Sequence, residues 1–585
     1  MIRRLSLVFV AAWFVLAPAT LWAQDAGTAS QKITGRLVTT TGEPAANGMI
    51  YAAPVGMAAP QQPSRADSSG NFKLDNLDVG LYRIWATLPG YVSADQPGIS
   101  GPQYYRAGDS VTLTMVKGAV ITGTVTGPNG PVVAVMVRAI RLRDGDGKPL
   151  PLPIVVRERI ADDRGIYRLY GLPPGTYVVS AGGPPRFGWG MAPTPFGAEM
   201  PTYFPSATRD TASEITVRSG DETTADISYR GEPGRTISGA VSGLPESAPQ
   251  FSGVSVSIID VRDRSTVMNA MANPAANYSF ILFGVADGEY EISAAQTSNA
   301  NDALRSVPRR IQVRGADVDS IKLVLAAQAR IEGQVVIEPD PKAGCGKRAE
   351  SAPLETIIHA RAYVPETKAG VEAKNSTLET PLLPRTSFVE AAPNAKGSFT
   401  LRNLAAGSYR IDAHMPASGW YLRSIAMGTA APSTGNRNAS LALARDGITL
   451  KAGERISGLT VTLTEGAANI LGRVTISESK QLPTGLRVYL VPVEKENAVD
   501  VLKFFETQVE SDGAFVVGNI APGKYWLVAR QVDDHDLTAA KSIRRDSAFR
   551  SMLLQEAAKS KQEITLKPCE RVADYEFALS SDQQK

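Results

Sequence analysis

Leu172-Pro173-Pro174-Gly175-Thr176-Tyr177-Val178-Val179-Ser180-Ala181 decides the fold, because the chain writes this pattern five times. The other copies are Leu77-Asp78-Val79-Gly80-Leu81-Tyr82, Val285-Ala286-Asp287-Gly288-Glu289-Tyr290, Leu404-Ala405-Ala406-Gly407-Ser408-Tyr409 and Ile520-Ala521-Pro522-Gly523-Lys524-Tyr525. Each reads as an apolar residue, two turn residues, Gly, any residue and Tyr, followed by a strand. Successive glycines stand about 95 to 120 residues apart, a domain's length and too long for a solenoid unit. Gly, Pro and an aromatic offer no acid, base or nucleophile, so these marks are structural. The glycines are expected at turns, and each tyrosine is expected with its ring in a core and its hydroxyl on nearby backbone, as in a tyrosine corner.

Two further marks accompany each copy. Upstream stand Asp67-Ser68-Ser69-Gly70-Asn71-Phe72, Asp163-Arg164-Gly165-Ile166-Tyr167, Asn394-Ala395-Lys396-Gly397-Ser398-Phe399 and Ser511-Asp512-Gly513-Ala514-Phe515. Asp or Asn near Gly supplies a tight hairpin turn, and the aromatic opens the next strand. The third repeat has Asn273-Pro274-Ala275-Ala276-Asn277-Tyr278 instead, which predicts a wider turn. Opening each unit is Ile33-Thr34-Gly35-Arg36-Leu37, Ile121-Thr122-Gly123-Thr124-Val125, Ile237-Ser238-Gly239-Ala240-Val241, Ile331-Glu332-Gly333-Gln334-Val335 or Ile470-Leu471-Gly472-Arg473-Val474. A Gly inside a strand marks a bulge or a close backbone approach. The runs Met49–Val55, Val135–Leu142, Val254–Val261, Ile357–Val364 and Leu486–Val493 predict the next strand of each unit.

The three marks in this order resemble the carboxypeptidase regulatory-like domain, a prealbumin-like seven-stranded sandwich grouped with carbohydrate-binding-like and Cna B-type folds. The resemblance covers nearly all of the chain and implies an all-β array of five tandem Greek-key-type sandwiches. It implies little about function, since the module is widely used. The zinc catalytic domain that accompanies it in metallocarboxypeptidases is absent from this sequence. The internal Lys–Asn bonds of Cna B-type domains do not carry over either, because the opening strands supply no consistent Lys.

In chain order, residues 1–23 read as a secretion signal with Arg3 and Arg4 in front, an apolar Leu5–Leu16 and a small-residue exit. Cleavage is expected after Ala23, with Ala19 as the second choice; an uncleaved anchor is the alternative, although the apolar stretch is short for a span of about 20 residues. A polar leader, 24–32, precedes the first unit, 33–119. The second unit, 120–236, carries the aromatic Gly/Pro tract 182–207 with Phe187, Trp189, Phe196, Tyr203 and Phe204. This tract is either a ligand-contacting loop or a flap capping the sandwich. The third unit is 237–330. The fourth, 331–469, has two insertions and an aromatic stretch at Trp420 and Tyr421 that reads as the counterpart of Tyr104 and Tyr105. The fifth, 470–585, ends with a segment, Thr538–Ser560, whose Phe549, Met552, Leu553 and Ala557 recur at helical spacing. One helix near the C-terminus is therefore expected, and the five sandwiches are expected to form a monomeric rod.

The remaining chemistry is sparse. Formal net charge is +3, and +1 without Arg3 and Arg4, too little for nucleic acid or anionic lipid. Asp144-Gly145-Asp146-Gly147-Lys148 resembles the start of a calcium loop, but the bidentate position falls on Val155, so a hairpin turn is expected. Asp533-Asp534-His535-Asp536 reads as a turn entering the helix rather than a metal cluster. His359, His414 and His535 have no zinc-ligand spacing. No metal, cofactor or catalytic residue is assigned. Cys345 and Cys569, an isolated pair in an exported chain, are a candidate disulfide. The expectation is a periplasmic or extracellular, non-enzymatic structural, adhesion or scaffold protein with an envelope partner. The alternative is a carbohydrate-binding protein that presents the aromatic loop to polysaccharide.

Overall fold

The computed structural model describes residues 31–55, 62–94, 103–183, 196–245, 253–297, 303–340, 345, 353–363, 388–415, 419–428, 437–476, 482–483, 485–510, 512–532, 543–544, 546–560 and 562–579. The fold is all-β, with five tandem sandwiches, each closed around its own apolar cluster. The residues expected to signal a secretion segment, and the Asp533–Asp536 stretch, lie outside the described residues.

One frame recurs. In the first sandwich Gln31–Thr39 pairs antiparallel with Asn71–Leu77 and parallel with Ser110–Lys117. The facing sheet is built on Met49–Pro54 paired with Leu81–Thr87. The fourth sandwich repeats this with Ala329–Glu338 between Ser398–Leu404 and Arg455–Glu465, and the fifth with Ala468–Ile476 between Ala514–Ile520 and Arg571–Leu579. Because first and last strands run side by side and parallel, the chain enters each unit at one end and leaves at the other.

The opening glycine is where the last strand crosses closest. A Cβ on Gly333 would stand 2.4 Å from the Leu459 carbonyl oxygen and 2.5 Å from the Phe399 ring. Phe399 is the aromatic that follows the hairpin turn, so two of the sequence marks meet as one contact. Gly472 meets Phe515 and the Tyr575 carbonyl in the same way. The turn marks form as side-chain-closed loops: Asp67 Oδ1 accepts from the Ser69 and Asn71 amides, both at 2.8 Å. Asp162 and Asn394 hold their turns alike. Asp144 does too, accepting from the Asp146 and Lys148 amides, so its carboxylate closes a hairpin between Met136–Arg143 and Pro149–Ile160. In the third unit Asn273 closes the wider turn over Pro274–Ala276.

All five repeat tyrosines donate to the carbonyl four residues back. Tyr82 bonds Asp78, Tyr177 Pro173, Tyr290 Ala286, Tyr409 Ala405 and Tyr525 Ala521, at 2.5 to 3.0 Å. The ring fills the core while the hydroxyl satisfies a turn carbonyl that the sheets cannot reach. Gly80, Gly175, Gly407 and Gly523 have φ between 150° and 155°, whereas Gly288 is not among the positive-φ residues.

Four features depart from the sequence reading. Among the described residues, seven strands occur only in the fifth unit; the first and fourth carry two four-stranded sheets, and in the third Leu304–Ser306 bridges both sheets into one of eight strands. The extra strands are Tyr91–Ser93 and Trp420–Met427, which pair with the last strands of their units. Trp420 is thus the counterpart of Tyr91, while Tyr105 lies on Tyr105–Arg106, paired with the strand that carries Tyr82. Two helices, not one, are present among the described residues: α1, Arg437–Asp446, and α2, Ser547–Ser560. The second packs Leu553 and Ala557 on Tyr489, Val491 and Val528, and Asp546 caps it through the Phe549 amide at 2.8 Å. Lastly, the array is not a straight rod, because the first sandwich touches the fourth. Val55, Leu81 and Tyr104 pack with Ile357, and the Tyr104 hydroxyl donates to Glu390 at 2.9 Å.

Candidate functional site

Of the aromatic tract, Phe187 and Trp189 lie outside the described residues. The other three face inward. Tyr203 is buried with Ile140 and Val178, and Phe196 and Phe204 lie against the second core. Phe196 meets Tyr229 edge-on at 5.7 Å, and the Tyr229 hydroxyl donates to Glu199 at 2.6 Å. Packed this way, the three rings lie over the end of the second sandwich. Tyr203 is buried, while Phe196 and Phe204 are half-buried against the core.

Polar chemistry gathers instead where the sandwiches meet. A left-handed residue stands just before the apolar residue of each repeat: Asn76, Gly171, Gly284, Asn403 and Asn519, with φ from 57° to 71°. The same step shifts the register between the opening strand and its antiparallel neighbour, as a β-bulge does. This bulge faces the incoming chain. Gly118 would carry a Cβ 2.6 Å from the Gly171 Cα, and Gly234 one 2.4 Å from the Gly284 Cα. Where Asn replaces Gly, the amide bonds across: Asn403 Oδ1 accepts from the Ala303 amide at 3.1 Å, and Asn519 Nδ2 donates to the Trp420 carbonyl at 2.7 Å. The sequence spells this position five times as Asn or Gly, one residue ahead of the apolar residue that opens each repeat.

The fourth and fifth sandwiches are joined most firmly. Cys345 and Cys569 are bonded, with Cα atoms 5.3 Å apart. The Cys569 amide donates to Gly466 at 3.2 Å, and Gly466 and Ala467 donate to Gly419, so the bond sits on the chain segment linking the two units. Between residues of the same two units lies a cleft of about 210 Å³ lined by Asp412, His414, Met415, Leu422, Leu502, Phe505, Asn519 and Arg544 among others. Its two charged side chains engage each other. Arg544 donates to Asp412 at 3.5 Å and to the Phe504 carbonyl at 3.2 Å, and lies over the Phe505 ring.

The contact between the first and fourth sandwiches brings together two of the three histidines. His359 and His414 lie on neighbouring strands, Ile357–Tyr363 and Gly407–His414, where Ile357 pairs with His414 and His359 with Asp412. The Tyr104 ring covers them, 4.9 Å from His414 and 6.3 Å from His359. Arg83 pairs with Glu390 at 2.5 Å and Arg106 with Glu355 at 3.1 Å. Desolvation, then His359 and Arg106, push His414 down to about 4; desolvation also lowers His359, against the pull of Asp412 and Glu390. Burial, with the Glu390 carboxylate beside it, raises Tyr104 to about 12. At neutral pH both imidazoles and the phenol are uncharged. Among the described residues no group of three or more His, Cys, Asp or Glu forms a metal-holding cluster. No helix of the described residues is long and apolar enough to cross a membrane.

No protein-family model matches the chain, and no curated protein matches it. The regulatory-like resemblance therefore rests on the motifs alone. Among solved structures, the chain is similar to the Bacillus anthracis TIE protein at 10% identity, with 51% of each chain covered and a TM-score of 0.14. It spans about half the length of that protein. It is also similar to two B repeat units of the collagen-binding protein of Staphylococcus aureus, at 9% identity over 74% of this chain and 100% of that one, TM-score 0.14. A minor pilin of Streptococcus agalactiae is similar at 13% identity over 34% and 96%, TM-score 0.18. At these scores the likeness carries no argument about what this chain does; the fold stands on its own strand pairings.

Proposed function

We propose that this chain is an exported, non-enzymatic structural or scaffold protein of the cell envelope, whose work is to fasten five sandwiches to one another and present them to an envelope partner. The observation that carries this reading is the use of its reactive and polar side chains as fasteners between units. Cys345 is spent on Cys569, Asn519 on Trp420, Asn403 on Ala303 and Tyr104 on Glu390. A lone disulfide tying two units suits an oxidising compartment, where such bonds persist. A protein whose site chemistry is consumed in its own joints acts through its shape and outer surface.

The test has two arms. Purified mature protein is passed over envelope extract with crosslinking, and the same preparation is run on a glycan array. Retention of a defined envelope protein, without glycan signal, supports the scaffold. Saturable glycan binding that falls with Trp189→Ala would replace it with the carbohydrate-binding reading. Turnover of any envelope component by the purified protein would end the non-enzymatic assignment.

A further inference from the structure

The seam between the first and fourth sandwiches closes the chain on itself. It joins residues 286 positions apart, and its apolar part is small: Val55, Leu81, Ile357 and the half-buried Tyr104. Four side chains cannot hold two domains by burial alone; polar contacts at the rim must contribute. The charged groups facing the imidazoles can be named from every element around them. Arg83 comes from Leu81–Thr87 and Arg106 from Tyr105–Arg106. Glu390 lies on Phe388–Ala391, Asp412 on Gly407–His414 and Arg361 on Ile357–Tyr363, with Glu355 just ahead of it. Arg544 reaches Asp412 from the fifth unit.

The balance of these charges is what matters. Four guanidiniums face three carboxylates, so the seam already stands one positive charge above neutrality with both imidazoles uncharged. Glu390 and Glu355 are held by arginines of the first sandwich, and Asp412 by Arg544. Protonating His359 and His414 raises the excess to three, against the Tyr104 ring and the Arg106 guanidinium.

We propose that this seam is an acid-released clasp: protonation of His359 and His414 undocks the first sandwich from the fourth and lets the closed array open into an extended chain. The reading does not depend on the envelope role proposed above, since it concerns how the units are arranged whatever they bind. The sign follows from linkage. An imidazole whose docked pKa lies below its free value near 6.5 favours docking fully above that value, and the contribution is lost as pH falls toward the docked value, about 4 for His414. His414 is nonetheless an exposed residue that lines the cleft, so solvent screening reduces the effect well below what the lowered value alone implies. We expect docking to weaken about fivefold to tenfold between pH 7.5 and 5.

Small-angle scattering of the full mature protein at pH 7.5 and 5.0, in fixed salt, reads the opening as a rise in radius of gyration. The His359→Gln/His414→Gln variant, which cannot charge, should stay compact at both values. Tyr104→Ala should be expanded already at pH 7.5 and change little with acid. Proton NMR of the imidazoles supplies a second readout: both histidines should titrate closer to 6.5 in Tyr104→Ala than in the parent chain. An equal acid expansion in the double variant, no expansion in the parent, or histidine titrations unmoved by Tyr104→Ala would each overturn the clasp.

Discussion

The fourth sandwich is gripped from two sides in different ways. Toward the fifth it is held by a covalent bond, an asparagine amide on the Trp420 carbonyl and the Arg544–Asp412 pair. Toward the first it is held by one aromatic ring, two ion pairs and a few apolar contacts. The first grip survives anything short of reduction. The second rests on groups whose charge changes with pH and whose pairing weakens with salt. One joint is thus permanent and the other adjustable, and both act on the strand that carries Asp412 and His414.

The largest expected effect comes from breaking the permanent joint. The bond closes a loop of 224 residues, which in the chain-entropy model corresponds to about 5 kcal/mol. Cys345→Ser with Cys569→Ser should therefore lower the denaturant midpoint of the fourth and fifth units markedly, and should leave the unfolding of the second unit within the same chain untouched. An unchanged midpoint would mean that the interface, not the bond, fastens them.

Next is the adjustable joint. Tyr104→Phe keeps the ring over the histidines and removes only the hydroxyl that donates to Glu390. A hydrogen bond to a charged group contributes about 1.5 to 3 kcal/mol, and Arg83 still pairs with Glu390, so a loss of docking near the lower figure is expected. Scattering at pH 7.5 should show partial expansion, less than for Tyr104→Ala. If the two variants expand equally, the hydroxyl and not the ring is the fastener.

Acid separates the joints from the turns as well. Backbone amide hydrogen bonds lower the carboxyls of Asp67, Asp162 and Asp512 below their ordinary 3.8. A carboxyl lowered by folding stabilises above its unfolded value and loses that contribution only as pH falls through the lower folded one. These turns are thus expected to stay intact between pH 6.5 and 4, the window through which His414 loses its contribution to docking. A circular-dichroism scan should stay flat through that window while the radius of gyration moves. A joint loss of both would point to general acid unfolding.

What was legible in the sequence divides along the same line. The five sandwiches could be read because each carries local marks whose physics is local: a glycine under a crossing strand, an Asx-closed turn, a tyrosine bonded four residues back. Cys345 and Cys569 could be paired because the chain holds no other cysteine. The Tyr104 contact could not be read, since nothing near residue 104 encodes a partner near residue 390; it arises from how three junctions add up. α1 was missed because ten residues give too few turns for periodicity to decide, although its Ala and Leu content favours a helix. The aromatic tract was undecided for a different reason: composition shows that rings are present, and only packing shows that Tyr203 is buried and that Phe196 and Phe204 lie against the core.

The smallest effect sharpens the comparison most. Arg544→Gln removes a guanidinium from the Asp412 carboxylate at the permanent joint, much as Arg83→Gln would remove one from Glu390 at the adjustable joint. Both pairs are partly exposed, and such pairs contribute about 0.2 to 1 kcal/mol. At the fourth–fifth junction the covalent bond already fixes the units, so Arg544→Gln should change stability by less than about 0.5 kcal/mol and leave the overall dimensions as they are. At the first–fourth seam no such bond exists, and the same class of change should appear as measurable expansion that grows with added salt. Equal responses to the two substitutions would mean that the joints do not differ in kind, and the division of the molecule into a fixed and a releasable side would fail.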